Sequence, residues 1–249
     1  MQLTVLGSSG SSPSRTNPAS GYLVEAGGQS IWLDAGPGTF MRLGSYMDPG
    51  QLSAAVVSHI HVDHSSDIMA LYSYLAYGPG GDFPIPVFVP VEARDQLSAY
   101  ARGTQLEVFH RVLDIQTVEP GDKAQIGDVT LQFAEAQHTV PALITTVEHE
   151  SRSLVYSGDT GPGSELPVAA RDCDLLLCEA TYQGERTPEL WDGHLTASEV
   201  GELASAADVD RLVITHLRAT QNRELTAEEA IAAFGRDVPV ALPDDVFDI

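Results

Sequence analysis

Short apolar runs that stop at Gly, Ser, Asp or His recur along the chain, and they predict strands over Leu3–Leu6, Tyr22–Glu25, Ile31–Asp34, Ala54–Ser58, Val87–Val89, Val129–Ala134, Leu143–Val147, Leu154–Ser157, Leu175–Glu179 and Leu212–Thr215. Between some of them the apolar spacing becomes helical. Ile68, Leu71, Tyr72 and Leu75 fall on one face of a helix that the pattern starts at Ser65. Val200, Leu203 and Ala204 fall on another after Thr196 as cap, and Ala227–Phe234 reads as a third helix opened by Thr226. Strands clustered early and then interleaved with helices predict two mixed sheets covered by helices, a four-layer αββα sandwich of the α/β class. With no Ser/Gly/Pro-rich linker in the sequence, residues 1–249 are expected to form one domain. The loop-rich stretch Gly78–Pro86 suits a mobile lid beside a site and equally a surface turn.

Composition narrows the class. The chain has 249 residues, 43% of them hydrophobic, and no apolar run nears the ~18 residues of a membrane span. Thirty-five acidic residues against thirteen basic ones give a formal charge of −22. Such a surface repels polyanions, which makes extended nucleic acid an unfavoured partner, although bound cations reverse the sign locally. The acidity fits a salt-rich cytoplasm and a GC-rich genome equally. Two cysteines, Cys173 and Cys178, placed along what reads as one buried strand, exclude a disulfide framework. The opening Met-Gln-Leu-Thr-Val-Leu-Gly reads as a first strand rather than a signal peptide, and a cytoplasmic protein is expected.

The histidines carry the chemistry. Ser58-His59-Ile60-His61-Val62-Asp63-His64 follows a strand and precedes a helix, so a tight turn would bring four ligand-type side chains into one space. Imidazole and carboxylate suit zinc, manganese or iron, and so dense a loop can serve two adjacent ions. Of the remaining candidates, His138, Asp159 and His216 each follow a predicted strand, where ligands are expected. His110 and His149 lack that placement and read as solvated side chains.

The His59-x-His61-x-Asp63-His64 motif, with His138, Ser157-Gly158-Asp159-Thr160 and His216, resembles the metallo-β-lactamase superfamily, and the early Leu33-Asp34-Ala35-Gly36 strand end extends the likeness. The resemblance implies an αββα fold with a dinuclear site of divalent ions, zinc foremost, with manganese and iron also compatible. One ion would take His59, His61 and His138, the other Asp63, His64 and His216, with Asp159 bridging. Asp34 fits either a partner for a ligand histidine or a turn-capping aspartate.

Cys178-Glu179-Ala180-Thr181 and Gly193-His194-Leu195-Thr196 resemble motifs of ribonuclease Z and its cyclic nucleotide phosphodiesterase relatives. In that setting Glu179 would orient and charge the imidazole of His194, which contacts phosphate or protonates the leaving oxygen. Ribonuclease Z carries a basic tRNA-binding arm, usually between the third histidine ligand and the bridging aspartate. Here that interval, His138 to Asp159, leaves room for one strand pair. The arm-less pattern is similar to a bacterial group that includes cyclic-AMP phosphodiesterases. A small phosphodiester, foremost a cyclic nucleotide, is therefore the expected substrate, with Asp63, His194 and Glu179 as catalytic residues and a homodimer as the expected state. A tRNA 3′-processing endonuclease, a hydrolase of another ester or a lactone, and a non-enzymatic metal-binding module are the alternatives. Tyr72, Tyr74 and Tyr77 lie near the loop-rich stretch, where one could stack on a base, but Tyr72 falls on the helix's core face.

Overall fold

A computed structural model describes residues 1–79, 84–102 and 105–249. One sheet contains β1 (Gln2–Gly7), β2 (Gly21–Ala26), β3 (Gln29–Leu33), β4 (Ala54–Val56), β5 (Ile85–Pro90), β6 (Leu113–Val118) and, at its edge, the late strand β13 (Val246–Asp248), in the order β13-β1-β2-β3-β4-β5-β6. The other contains β7 (Lys123–Ile126), β8 (Val129–Glu135), β9 (Leu143–His149), β10 (Arg152–Tyr156), β11 (Leu175–Glu179) and β12 (Arg211–Thr215), in the order β12-β11-β10-β9-β8-β7. Both sheets are mixed. The hairpin strands pair antiparallel, and β3 to β6 and β10 to β12 run parallel.

Alternation along the strands sorts the side chains into layers. Leu3, Val5, Tyr22, Val24, Ile31 and Leu33 from the first sheet meet Leu154, Tyr156, Leu175, Leu177 and Val213 from the second, forming the core between the sheets. The intervening residues turn outward. Leu23, Trp32, Ala55 and Val87 pack under α1 (Thr39–Leu43), α3 (Ile68–Tyr77), α4 (Val91–Ala101) and α5 (Leu106–Val112). Val155, Leu176, Cys178 and Ile214 pack under α6 (Leu166–Ala169), α7 (Ala197–Ala206) and α8 (Arg223–Phe234). Strands buried on both faces explain why β10 to β12 read as continuous apolar runs. The four-layer αββα architecture expected from the sequence is therefore the observed one.

Several boundaries differ. The helix expected from Ser65 is two helices: a single turn α2 (Val62–Ser65), which carries Asp63 and His64, and then α3 after Asp67. The third predicted helix starts four residues early, because Asn222 rather than Thr226 accepts the backbone N–H groups of Glu224 and Leu225. Thr226 instead lies buried inside α8 and donates to the Asn222 carbonyl. Thr196 caps α7 as expected, in a reciprocal capping box with Glu199. Cys173 precedes β11 instead of sharing it with Cys178, and both thiols are buried and free. Part of the Gly78–Pro86 stretch, residues 80–83, lies outside the described residues. Among the described residues no helix is long and apolar enough to cross a membrane.

Candidate metal centre

Apart from His194, which lies in the segment before α7, the residues of interest sit at or just after the C-terminal end of a strand at one end of the sandwich. β3 delivers Asp34, β4 the His59–His64 segment, β8 His138, β10 Asp159, β11 Glu179 and β12 His216. The parallel pairings aim these ends the same way, since β8, β10, β11 and β12 share one direction. Local backbone supports the delivery. Asp34 and His216 take left-handed φ values of 55° and 57°. Gly158 does so at 56°, where a Cβ would sit 2.9 Å from that of Ser58 and 3.1 Å from the Leu143 carbonyl oxygen.

All seven sequence-predicted ligands converge in two groups joined by Asp159. In the first, His61 Nδ1 lies 3.1 Å from both His59 Nε2 and His138 Nε2, while Asp159 Oδ2 is 3.8 Å from those two Nε2 atoms. In the second, His64 Nε2 and His216 Nε2 are 3.2 Å apart and lie 3.6 and 3.4 Å from Asp63 Oδ2. Asp159 Oδ1 is 3.2 and 3.3 Å from the same two nitrogens. Ligands bound at about 2.0–2.1 Å around a tetrahedral ion stand about 3.3–3.4 Å apart, so the spacing matches two adjoining coordination shells.

Hydrogen bonds on the far side of the rings settle which nitrogens hold lone pairs. His64 donates from Nδ1 to Asp34 Oδ2 at 2.6 Å, and His138 donates from Nδ1 to the Gly193 carbonyl at 2.9 Å. Ser58 Oγ spends its proton on Asp34 at 2.8 Å and so accepts from His59 Nδ1 at 3.0 Å. Thr181 Oγ1 lies 3.0 Å from His216 Nδ1. In the neutral rings of His59, His64 and His138 this leaves Nε2 as an acceptor facing other acceptors, and His216 Nε2 points into the same cluster. Asp159 Oδ1 is buried and accepts no hydrogen bond. Converging lone pairs with an orphaned carboxylate oxygen are what a cation satisfies.

The electrostatics differ between the two groups. Burial holds His59, His61 and His138 below the ordinary histidine range, which keeps the first trio uncharged. Burial works the same way on His64, but the Asp159 and Asp34 carboxylates outweigh it and hold that imidazole well above its usual value. Asp63 and Asp159 are pulled below the carboxylate range by the surrounding imidazoles in spite of burial.

Asp34, one of two readings in the sequence, proves to be a hub. Its Oδ1 accepts from the Ser58 N–H at 2.6 Å, and its Oδ2 accepts from His64, Ser58 Oγ and the Tyr156 hydroxyl at 2.6, 2.8 and 2.6 Å. Glu179 is fully buried. Its Oε1 accepts from His194 Nδ1 at 2.7 Å and from Thr160 N at 2.8 Å, and its Oε2 accepts from Thr181 N at 3.0 Å. Burial lowers the pKa of His194 and the Glu179 carboxylate more than offsets it, leaving the group raised. His194 also lies 3.9 Å from Asp159 Oδ2, beside the ligand cluster. The sequence motifs contain Thr181 and Tyr156 without giving either a role, and they do not point to Trp191, whose ring lies 5.1 Å from that of His138. His110 is exposed, and His149 sits by Gly27 in another part of the fold. Tyr72 packs edge-on against Phe109 in the helical layer, as its face predicted.

Residues 29–217 match the model of the β-lactamase superfamily domain. The chain belongs to the metallo-β-lactamase superfamily. It is 31% identical to an uncharacterised protein of Mycobacterium leprae over all of this chain and 89% of that one. It is 26% identical to the probable metallo-hydrolase YhfI of Bacillus subtilis, covering 97% of each, and the YhfI crystal structure superposes with a TM-score of 0.88 at 23% identity over 99% of both chains. The short form of human tRNase Z shares the fold at a TM-score of 0.79 and 22% identity, covering 100% of this chain and 99% of that one. This superfamily member is a metal-dependent hydrolase related to YhfI and to ribonuclease Z.

Proposed function

We propose that this hydrolase is a dinuclear phosphodiesterase for a small phosphodiester, with a cyclic nucleotide such as cyclic AMP as the substrate class. His59, His61 and His138 would hold one divalent ion and Asp63, His64 and His216 the other, with Asp159 shared and zinc the first candidate for both. When bound, such a pair supplies Lewis-acid chemistry to water and to phosphoryl oxygens. The observation that carries the phosphodiesterase reading is the Glu179–His194 pair beside the cluster. Glu179 accepts the hydrogen bond from His194 Nδ1–H and orients the ring, which leaves the Nε2–H of the imidazolium to bind a phosphate oxygen or to protonate the departing alkoxide. After that transfer the neutral ring is reprotonated from solvent. Asp63 would help hold one ion and could orient the attacking water, and the burial of His59, His64 and Asp159 limits competing solvent.

A tRNA substrate fits less well. The −22 charge opposes a polyanion, and the His138–Asp159 interval is occupied by the β9–β10 hairpin. The deciding experiment presents the zinc- or manganese-loaded protein with cyclic AMP, 2′,3′-cyclic nucleotides, a chromogenic phosphodiester, a lactone and a pre-tRNA. Turnover of a small phosphodiester well above the others is expected. Efficient pre-tRNA cleavage at physiological salt, or turnover of the lactone alone, overturns the proposal.

A further inference from the structure

Trp191 is 42% exposed, whereas Trp32, the only other tryptophan in the sequence, is fully buried. The exposed indole borders the candidate site. Its ring centroid is 5.1 Å from that of His138 and 5.3 Å from that of His194, the latter nearly perpendicular at 88°. It is also held in place. The six-membered ring lies against Gly193, where a Cβ would come within 1.8 Å of it, so a side chain at position 193 would displace the indole. Arg186 clamps the surrounding segment, donating from Nη2 to the His194 carbonyl at 2.6 Å and to Glu199 at 2.9 Å, and from Nη1 to Asp192 at 3.3 Å. A ring hemmed in by its own backbone in this way loses less rotamer freedom on meeting a ligand, which is how a binding platform is preorganised.

Tyr182 also packs edge-on to His194, its ring centroid 5.7 Å away, with the Arg218 guanidinium 5.2 Å above the tyrosine ring. A flat apolar face and a cation thus both lie in the surroundings of His194. We propose that Trp191 is the surface on which the planar base of a nucleotide phosphodiester stacks, with Arg218 drawing the anionic phosphate toward His194. The inference rests on the phosphodiesterase reading and narrows it to base-bearing substrates. Every nucleobase offers a π-face to such a ring, and an uncharged base meets no penalty from the acidic surface.

The test has a binding arm and a kinetic arm. Because Trp32 is buried, quenching of the accessible tryptophan emission reports on Trp191. Adenosine 5′-monophosphate is expected to quench it while ribose 5-phosphate does not, and equal response to both, or to neither, overturns the platform. In the kinetic arm, Trp191→Ala should raise KM for a cyclic nucleotide about 10–100-fold with kcat nearly unchanged. Trp191→Tyr should recover most of that loss, and a base-free glycerophosphodiester should be unaffected. Equal losses on both diesters, or a loss confined to kcat, would instead mean that the indole only props His138 and His194. If the wild-type protein hydrolyses no phosphodiester at all, the broader reading fails, and the fluorescence titration still decides the platform.

Discussion

Asp34→Asn changes one oxygen into an amide nitrogen at the point where four hydrogen bonds end. In one orientation the NH2 replaces Oδ2 and faces three donors. Ser58 Oγ and the Tyr156 hydroxyl can rotate and accept. His64 can accept at Nδ1 only by moving its proton to Nε2, the atom that faces the metal cluster, and so loses the lone pair needed there. In the flipped orientation the NH2 confronts the Ser58 N–H from 2.6 Å and leaves a buried backbone donor unsatisfied, at about 1–3 kcal/mol. The protein takes the cheaper course. Losing the partner behind a ligand histidine typically weakens metal affinity about 10–100-fold, or about 1.4–2.7 kcal/mol. Competition with a chromogenic chelator, resolved into two binding steps and paired with a thermal melt of the metal-free protein, separates these outcomes. We expect the ion at Asp63, His64 and His216 to weaken by that factor and the ion at His59, His61 and His138 to weaken less, because Ser58 relays only part of the change to His59. Equal weakening of both ions, or affinities within about twofold together with an unchanged melt, would refute the reasoning.

Asp159→Ala should reduce content at both metal sites together, since its two oxygens face different groups, and elemental analysis after dialysis reads the loss; two ions retained per chain would contradict the shared role. His194→Ala should leave metal content unchanged and cost about 10²–10⁴-fold in turnover of a nucleotide diester, with a smaller loss on a nitrophenyl diester whose leaving group needs little protonation. Since Glu179 raises the pKa of His194 and the acid form is lost as pH rises through that value, Glu179→Gln should move the alkaline limb of the rate profile to lower pH; a limb that stays in place would remove Glu179 from that role. Burial pushes the Cys173 thiol up to about 12 and Cys178 higher still, so neither should react with a thiol reagent at neutral pH until the chain unfolds.

The candidate site is legible in the sequence because its ligand-type residues recur where apolar runs stop, a regularity that survives without knowing how the strands pair. The central strands were legible for a related reason, since burial on both faces leaves no polar positions in them. Weakly patterned edges were not. In β6 exposed Asp114, Gln116 and Thr117 interrupt the apolar residues, and β13 has only three residues. The start of α8 was misread because Asn222 and Thr226 are both capping residue types, and only the backbone decides which one caps. The groups behind the ligands depend on sheet-to-sheet contact that no local pattern encodes. Tyr156 reaches Asp34 across 122 positions, and Tyr22 reaches Thr215, next to His216, across 193.

The division of the candidate ligands between the sheets has a mechanical consequence. Four follow β4 in one sheet, and three follow β8, β10 and β12 in the other. Ions bound among them would act as a clasp across the mouth of the sandwich, so any hinge motion that parts the sheets at this end would first have to break coordination. Loaded protein would then breathe from the opposite end, where Gly27 meets His149, and would keep the catalytic end shut through fluctuations that loosen the rest.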